Sequence, residues 1–255
     1  MSRFRFRWIA LALLFAFTSP TVVGQTVENA PPEDSPEVDP KDPYEDWNRK
    51  VFGFNEFLDD WFLRPVAKAY RFVTPDIVDR GLTNFFNNLD EVRNFANSIL
   101  QLKGESAVVA AGRFTYNTVF GLGGLIDVGT AFGLPERPED FGQTLGYWGV
   151  DSGPYLMMPF LGPSTPRRLA GMGTDGWVLP SAWDEVGSPE EYYLRGLELV
   201  DKRADLIPAE SFMSGDRYTF VRNAYLQRRE FLVQDGKVQN DPFASDDEDL
   251  MLEDF

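Results

Sequence analysis

The most regular hydrophobic pattern lies between Tyr44 and Pro75, where apolar side chains recur at intervals of three and four residues. That interval is the period of an α-helix, so the pattern predicts a long amphipathic helix. The apolar positions are Phe54, Phe57, Leu58, Trp61, Phe62, Val66, Ala69, Tyr70 and Val73. Pro65 is expected to break or bend the helix. Two interpretations stay open: a helix buried in a core, or a helix lying in a membrane interface, where Trp and Tyr favour the headgroup level.

A second helical pattern follows Pro75. Thr74 is expected to cap this helix and Pro75 to occupy its first position. The apolar stripe consists of Val78, Leu82, Phe85, Phe86, Leu89, Val92, Ala96, Ile99 and Leu100. Asparagines crowd its middle and predict a kink near Asn88, and Gly104 is expected to end the helix as a C-terminal cap. Further helices are expected over residues 105–120, 188–206 and 214–236.

The middle of the chain departs from helical periodicity. Residues 114–126 are 13 uncharged residues, a run too short to cross a bilayer as a helix. Residues 141–166 hold five glycines, four prolines and a single charge, Asp151, together with several large apolar side chains. Glycine and proline exclude a long helix and a central strand, and long irregular segments are usually functional. We interpret this segment as the lining of a path or a mobile gate; the alternative is a packed loop that seals a core.

The first 43 residues differ in composition from the rest. Arg3, Arg5 and Arg7 precede an uncharged apolar run, which is the pattern of an export signal and is too short to span a bilayer. We expect cleavage after Gly24 and a mature chain that starts at Gln25; the alternative is a membrane-anchoring N-terminal helix. The predicted organisation is an export signal (1–24), an acidic Pro-rich linker (25–43), one helical domain (44–240) and an acidic disordered tail (241–255).

Composition excludes most enzyme classes. The chain has no cysteine and no histidine, which removes disulfides, thiol catalysis, serine–histidine catalysis and Cys- or His-ligated metal sites. No cofactor is expected. The formal net charge is −16, with the acidity largely in the linker and the tail, so nucleic acid is a poor partner. Adjacent acids such as Asp59 and Asp60 are better interpreted as solvated faces than as paired catalytic carboxylates, and we do not expect an enzyme.

Several stretches carry a resemblance: DPYEDWNRKVFGFNEFLDDWFLRPVAKAYR, NTVFGLGGLIDVG, FGQTLGYWGVDSGPYLMMPF and VRNAYLQRREF. They resemble the VacJ/MlaA proteins, the outer-membrane component of the Mla phospholipid-trafficking system. The resemblance implies a mostly helical, ring-shaped protein in the inner leaflet of the outer membrane. A Gly/Pro-rich loop would line its amphipathic central channel, through which strayed phospholipids leave the outer leaflet.

The resemblance also implies partners. These are phospholipids, a trimeric porin and a soluble periplasmic lipid carrier of the MlaC type. Family members usually begin the mature chain with a lipid-bearing cysteine, where this chain has Gln25. Two other functions are left open by the residues alone: a soluble periplasmic scaffold that binds a membrane partner, and a carboxylate-dependent hydrolase.

Particular residues acquire roles from the same resemblance. Gly149 and Gly153 match a flexible stretch that affects the state of the channel. Gly53, Phe54 and Asn55 match a first-helix region that keeps the channel from leaking. The channel or gate loop is further expected to include Asp151, Tyr155, Gly121, Gly123 and Gly124.

Overall fold

The computed structural model describes residues 39–187, 189–213 and 215–236, and these are mostly helical, which confirms the predicted all-α class. The helices are α1 (Glu45–Leu58), α2 (Arg64–Val73), α3 (Asp76–Leu100), α4 (Gly104–Val119), α5 (Val128–Ala131), α6 (Phe141–Tyr147), α7 (Pro166–Trp177), α8 (Glu190–Leu206) and α9 (Arg217–Val233). Two short strands, β1 (Leu156–Met158) and β2 (Gly162–Ser164), form an antiparallel hairpin. The predicted export signal, most of the linker and the acidic tail lie outside the described residues.

Helix α1 continues into α2 without the break that Pro65 was expected to cause. A π-helical turn, Asp59–Leu63, joins them, and Pro65 lies in the first turn of α2. The backbone N–H of Arg64 bonds the carbonyl of Asp59, five residues back. The chain therefore stays helical across Pro65, with a wider turn just before the residue that lacks a backbone donor. A break at Pro65 is wrong, and the alternative of a bend stays a prediction.

Helix α3 runs without interruption through Asn88, and the kink expected there stays a prediction. The Asn88 side chain donates to the Thr118 hydroxyl at 3.0 Å, and the Asn84 side chain donates to the Leu125 carbonyl at 3.2 Å. Asparagine disrupts a helix by bonding its backbone. Here the side chains bond other elements instead, and the helix is left intact.

Both ends of α3 differ from their predicted caps. Pro75 is the N-cap residue, and no side chain caps the helix, so Thr74 does not have the predicted role. Gly104 is the first residue of α4 and not a C-terminal cap. The left-handed residue that ends α3 is Leu102, with φ +57. The following N–H, of Lys103, closes the turn on the Ser98 carbonyl at 2.9 Å.

The interior is predominantly polar. Among the described residues, 19 polar or charged residues are buried against 12 apolar ones. One face of α3 is the centre of this network and consists of Asn88, Glu91, Asn94, Asn97 and Gln101. Their side chains bond α4, α6, α7 and the residues that precede α6. Buried polar groups are stable only when they are paired, so this network determines how the helices fit together.

A smaller apolar cluster holds the hairpin. It joins Val51 of α1, Tyr155 and Met157 of the hairpin segment, and Tyr218 of α9. Tyr155 and Tyr218 meet edge to face, with ring centroids 6.2 Å apart. The hairpin is therefore packed between the first and the last helix of the described chain.

Candidate functional site

The segment from α1 to α2 turns its large apolar side chains outward. Trp61 is 69% exposed, Phe62 is 64% exposed and Phe72 is 90% exposed. The residues buried in these two helices are Asn48, Val51 and Ala67. The interpretation as a core helix is therefore wrong for most of this stripe, and the alternative, a helix lying in a membrane interface, stays a prediction.

Other elements extend the apolar exterior. Ile77 is 81% exposed at the start of α3, and Trp177 is 82% exposed at the end of α7. In the part of the chain that the structure describes, none of the helices combines the length and the apolar character needed to cross a bilayer. Phe57 and Trp61 adjoin, with ring centroids 6.1 Å apart, and large exposed apolar patches mark sites of contact with protein or membrane.

The Gly/Pro-rich segment is more ordered than its composition predicted. It begins with α6 and ends with the β-hairpin, so the expectation of irregular backbone throughout 141–166 is wrong. The longest stretch of it without helix or strand is residues 148–155, between α6 and β1, and we call them the bend. The hairpin forms because Asn55 and Asn48 of α1 supply hydrogen bonds that two short strands alone lack.

Glycines stand at both ends of the bend's tightest part. Gly149 follows α6 with φ +84, and Gly153 has φ +70. A Cβ on Gly153 would lie 2.9 Å from Cγ of Pro166, whereas one on Gly149 would meet no atom within 4 Å. Asp151 is exposed, and its carboxylate accepts a hydrogen bond from the Gly153 N–H at 2.6 Å. The two predicted glycines are thus required by the backbone, and Asp151 stabilises the turn between them.

Tyr155 is the last residue of the bend, and its side chain packs in the apolar cluster and not on the surface. Its side chain is fully buried, and its ring meets those of Tyr218 and Tyr225. Burial raises the pKa of the Tyr155 hydroxyl, and the nearby Asp42 adds to this effect. Tyr155 thus belongs to the predicted channel or gate loop, but its side chain is closed to solvent and supports the loop from the apolar cluster.

Two asparagines of α1 clamp the hairpin. The Asn48 side chain donates to the Tyr155 carbonyl at 3.1 Å and accepts from the Met157 N–H at 2.8 Å. Asn55 does the same at the turn, donating to the Met158 carbonyl at 3.0 Å and accepting from the Phe160 N–H at 2.9 Å. Asn48 was not predicted; the available signal was its spacing of two helical turns from Asn55.

The two regions that the resemblance singled out separately are therefore in contact. Phe54 packs edge to face on Phe160 at the tip of the hairpin, with ring centroids 5.5 Å apart. A Cβ added to Gly53, the preceding residue, would meet no atom within 4 Å. Of the predicted trio, Phe54 and Asn55 contact the hairpin directly.

The glycines after α4 form a separate tight turn. A Cβ on Gly121 would lie 2.2 Å from the Ile126 carbonyl oxygen, and one on Gly124 would lie 2.7 Å from the Asn88 side chain. Gly123 has φ +73 and open space beside it. Gly121 and Gly124 are thus explained by close packing, and Gly123 by its backbone conformation.

An arginine that sequence reasoning missed fastens this turn to the polar interior. Arg113 is buried and donates to Glu91 at 2.6 Å. It also donates to the Thr130 hydroxyl at 2.9 Å and to the Leu134 carbonyl at 2.8 Å.

Across the described ranges, no group of three or more acidic side chains is placed to hold a metal ion.

Replacing Asn55 with alanine is expected to loosen the hairpin without unfolding the helices. The change removes both bonds to the hairpin turn, and each such hydrogen bond contributes about 0.5–1.5 kcal/mol net to stability. Amide hydrogen exchange over residues 156–164 should then be faster by about tenfold. Asn223→Ala, an exposed change on α9, is the matched control, and unchanged exchange in Asn55→Ala would contradict the clamp.

Comparison with known proteins gives consistent matches. A family model described as MlaA lipoprotein matches residues 40–232. The chain is 38% identical over 202 residues to the intermembrane phospholipid transport system lipoprotein MlaA of Haemophilus influenzae, covering 77% of this chain and 81% of that protein. It is also 38% identical over 211 residues to the protein of the same name from Escherichia coli, covering 80% and 83%.

A solved structure is similar as well. It is described as "Structural basis for maintenance of bacterial outer membrane lipid asymmetry" and aligns with a TM-score of 0.68 at 36% identity. The alignment covers 75% of this chain and 98% of that chain.

Proposed function

The chain belongs to the MlaA family, and from this premise we propose that it is an outer-membrane component of phospholipid transport. It removes mislocalised phospholipids from the outer leaflet through an amphipathic channel and passes them to a soluble periplasmic carrier of the MlaC type. This activity maintains the lipid asymmetry of the outer membrane. The relatives named for intermembrane phospholipid transport support the substrate, and the structure described for outer-membrane lipid asymmetry supports the place of action.

One observation carries the proposal: the described chain buries more polar than apolar residues and exposes many large apolar side chains. In water, an exterior with Phe72 and Trp177 exposed would cost free energy in proportion to its apolar area. In contact with lipid this cost disappears. A polar interior, in turn, can solvate a charged headgroup that hydrocarbon cannot. The arrangement suits a protein that sits among lipid chains and moves lipid headgroups.

The bend and the hairpin form the gate in this proposal. Gly149 and Gly153 permit the bend to change shape, while Asn48 and Asn55 hold the hairpin beside it on α1. Tyr155 supports the bend from the apolar cluster. The turn at Gly121, Gly123 and Gly124 contributes to the lining of the channel, which runs through a ring formed by the helices.

Attachment to the membrane follows from the same exterior. Gln25 stands where relatives carry a lipid-bearing cysteine, and the chain has no cysteine. One acyl chain gives only marginal membrane binding, and stable attachment takes a second signal. We propose that the aromatic surface of α1 and α2, set in the inner leaflet, and a trimeric porin beside it supply the attachment.

The domain (44–240) would follow an export signal (1–24) and a linker (25–43) and precede an acidic tail (241–255).

Purification and vesicle binding test the proposal. The full chain is expected to need detergent, to carry phospholipid detectable by mass spectrometry, and to float with phospholipid vesicles. Trp61→Glu combined with Phe62→Glu removes two exposed aromatic contacts. Since each buried aromatic side chain contributes about 1.5–3 kcal/mol, vesicle binding should weaken by about a hundredfold or more.

A second double variant distinguishes the loss of apolar contact from a change in side-chain shape. Trp61→Phe combined with Phe62→Leu keeps the surface apolar and should preserve flotation. Equal flotation of the glutamate pair would contradict attachment through this surface. A parent chain that is monomeric without detergent and free of lipid would refute the channel and favour the soluble periplasmic scaffold.

A further inference from the structure

A cavity lies beneath the bend that we propose as the gate. Its volume is about 720 Å³, which is within the range of about 300–1,000 Å³ typical of small-molecule sites. Residues 151–154 of the bend form one wall. The charged groups that line it are Lys41, Asp151, Arg167, Arg229 and Glu230.

Arg167 is the distinctive group in this cavity. Three arginines crowd the neighbourhood of one carboxylate, that of Asp140. Arg229 bonds Asp140 at 2.7 Å, and Arg168 approaches it at 3.8 Å. Arg167 has no carboxylate within 4 Å among residues 39–187, 189–213 and 215–236; its guanidinium instead donates to the Val150 carbonyl at 2.7 Å.

Among the described residues, the positive charge of Arg167 is thus not paired with a carboxylate. Burial lowers the pKa of its guanidinium, and repulsion from Arg229 lowers it further. An anion placed in the cavity would relieve both effects. Arginine binds phosphate oxygens well because its planar group can donate two parallel hydrogen bonds.

The remaining charges indicate which phosphate compound fits. The exposed Lys41 adds a third cation to Arg167 and to Arg229, which is paired with Asp140. Glu230 and Asp151 add two carboxylates. Inorganic phosphate would be attracted by the cations and repelled by both acids. A phosphodiester that carries an ammonium group on the same small headgroup would match both signs.

We propose that this cavity binds the zwitterionic headgroup of a phospholipid, with Arg167 and Lys41 on the phosphate and Glu230 on the ammonium group. The inference rests on the proposed transport function and adds the chemistry by which the lipid is recognised.

Binding of a phosphate at Arg167 would also affect the bend. The guanidinium holds the Val150 carbonyl, and the backbone N–H of Arg167 approaches the Ser152 carbonyl at 3.4 Å. A phosphate that recruits the guanidinium competes with Val150 for it. Headgroup occupancy therefore weakens a contact of the bend close to Gly149, and this links recognition of the lipid to movement of the gate.

The test is a titration of the purified full chain in an uncharged detergent. The probes are short-chain phosphatidylethanolamine, short-chain diacylglycerol with the same acyl chains, and inorganic phosphate. The parent should bind the phospholipid more tightly than the diacylglycerol by about tenfold or more, since hydrogen bonds to charged groups are the stronger class. Arg167→Gln keeps a donor for the Val150 carbonyl but removes the charge, and it should lose most of this preference.

Arg228→Gln is the matched control, because Arg228 is exposed on α9 and does not line the cavity. It should behave like the parent. Glu230→Gln should weaken phosphatidylethanolamine more than phosphatidylglycerol, which lacks the ammonium group. Full retention of the headgroup preference in Arg167→Gln would overturn the proposal, as would inorganic phosphate binding as tightly as the phospholipid.

Failure of the inference differs from failure of the proposed function. If the parent binds phospholipid and diacylglycerol alike, yet still carries phospholipid on purification, the headgroup site is wrong and transport stands. If the parent neither binds nor carries lipid, the transport function itself fails.

Discussion

Replacing Arg113 with methionine is expected to lower the free energy of unfolding by about 3–5 kcal/mol, the usual effect of removing one partner of a buried ion pair. Glu91, which is 1% exposed, would keep its charge in the interior without the donor that lies 2.6 Å away. The Leu134 carbonyl and the Thr130 hydroxyl would each lose a partner as well. Parent and variant would be compared by urea unfolding in the same detergent, followed by tryptophan fluorescence.

A surface pair provides the control. Arg137 bonds Glu105 at 2.7 Å, but Glu105 is 78% exposed, so Arg137→Met should cost no more than about 1 kcal/mol. Adding Glu91→Gln to Arg113→Met removes the stranded charge and should recover part of the loss. Equal losses in Arg113→Met and Arg137→Met would show that the buried pair does not hold the interior together.

The effect of Arg113→Met should also depend on pH. Burial raises the pKa of Glu91, while Asn94 and Arg113 oppose that rise. A carboxyl whose pKa is raised by folding destabilises the fold as pH rises through the folded value. Removal of Arg113 raises the pKa of Glu91 further. The difference in stability between parent and variant should therefore be larger at neutral pH than at mildly acidic pH.

The positions of α1 to α4, α8 and α9 were predictable from hydrophobic period, but those of α5 to α7 were not, and neither were the faces that the helices bury. In α3 the apolar stripe predicted the helix, yet Ile99 is 51% exposed and Val78 is 48% exposed, while Asn94 and Asn97 are buried. An apolar stripe faces the core only when water surrounds the protein. Here the exterior is apolar and the interior is polar, so the usual assignment of the two faces fails.

Short elements and long-range bonds were beyond prediction for another reason. The hairpin depends on Asn48, which bonds Met157 at a separation of 109 residues, and no local pattern contains that contact. The π-helical turn Asp59–Leu63 likewise has no periodic signal. Gly149 and Gly153 were singled out by the resemblance, and their left-handed backbone supplies the physical reason for glycine there. The locally determined part of the candidate gate was therefore visible in the sequence, and its support from α1 was not.

Replacing Gly153 with valine is expected to abolish lipid passage while leaving the fold in place. The residue has φ +70, and a Cβ there would lie 2.9 Å from Cγ of Pro166. A left-handed conformation costs an L-residue about 1–2 kcal/mol, and a β-branched side chain is a stronger outlier still. The bend must change shape, but α6 and the clamped hairpin limit how far the change spreads. A strain of Escherichia coli that lacks its own MlaA and expresses this variant should accumulate phospholipid in the outer leaflet, measured with a membrane-impermeant amine reagent.

Two other glycines serve as comparisons. Gly149 tests backbone strain without steric crowding, and Gly173 tests whether a valine substitution has a general effect. Gly149 has φ +84 but no atom within 4 Å of a built Cβ, and Gly173 in α7 has neither strain nor a close neighbour. Outer-leaflet phospholipid should therefore fall in the order Gly153→Val, Gly149→Val, Gly173→Val, with the last at the parent level. If the bend is a gate, this order should appear while the unfolding midpoints of all three variants stay close to that of the parent. If the bend were only a packed loop that seals the core, loss of passage would instead follow loss of stability, because each variant would fail only to the extent that it unfolds.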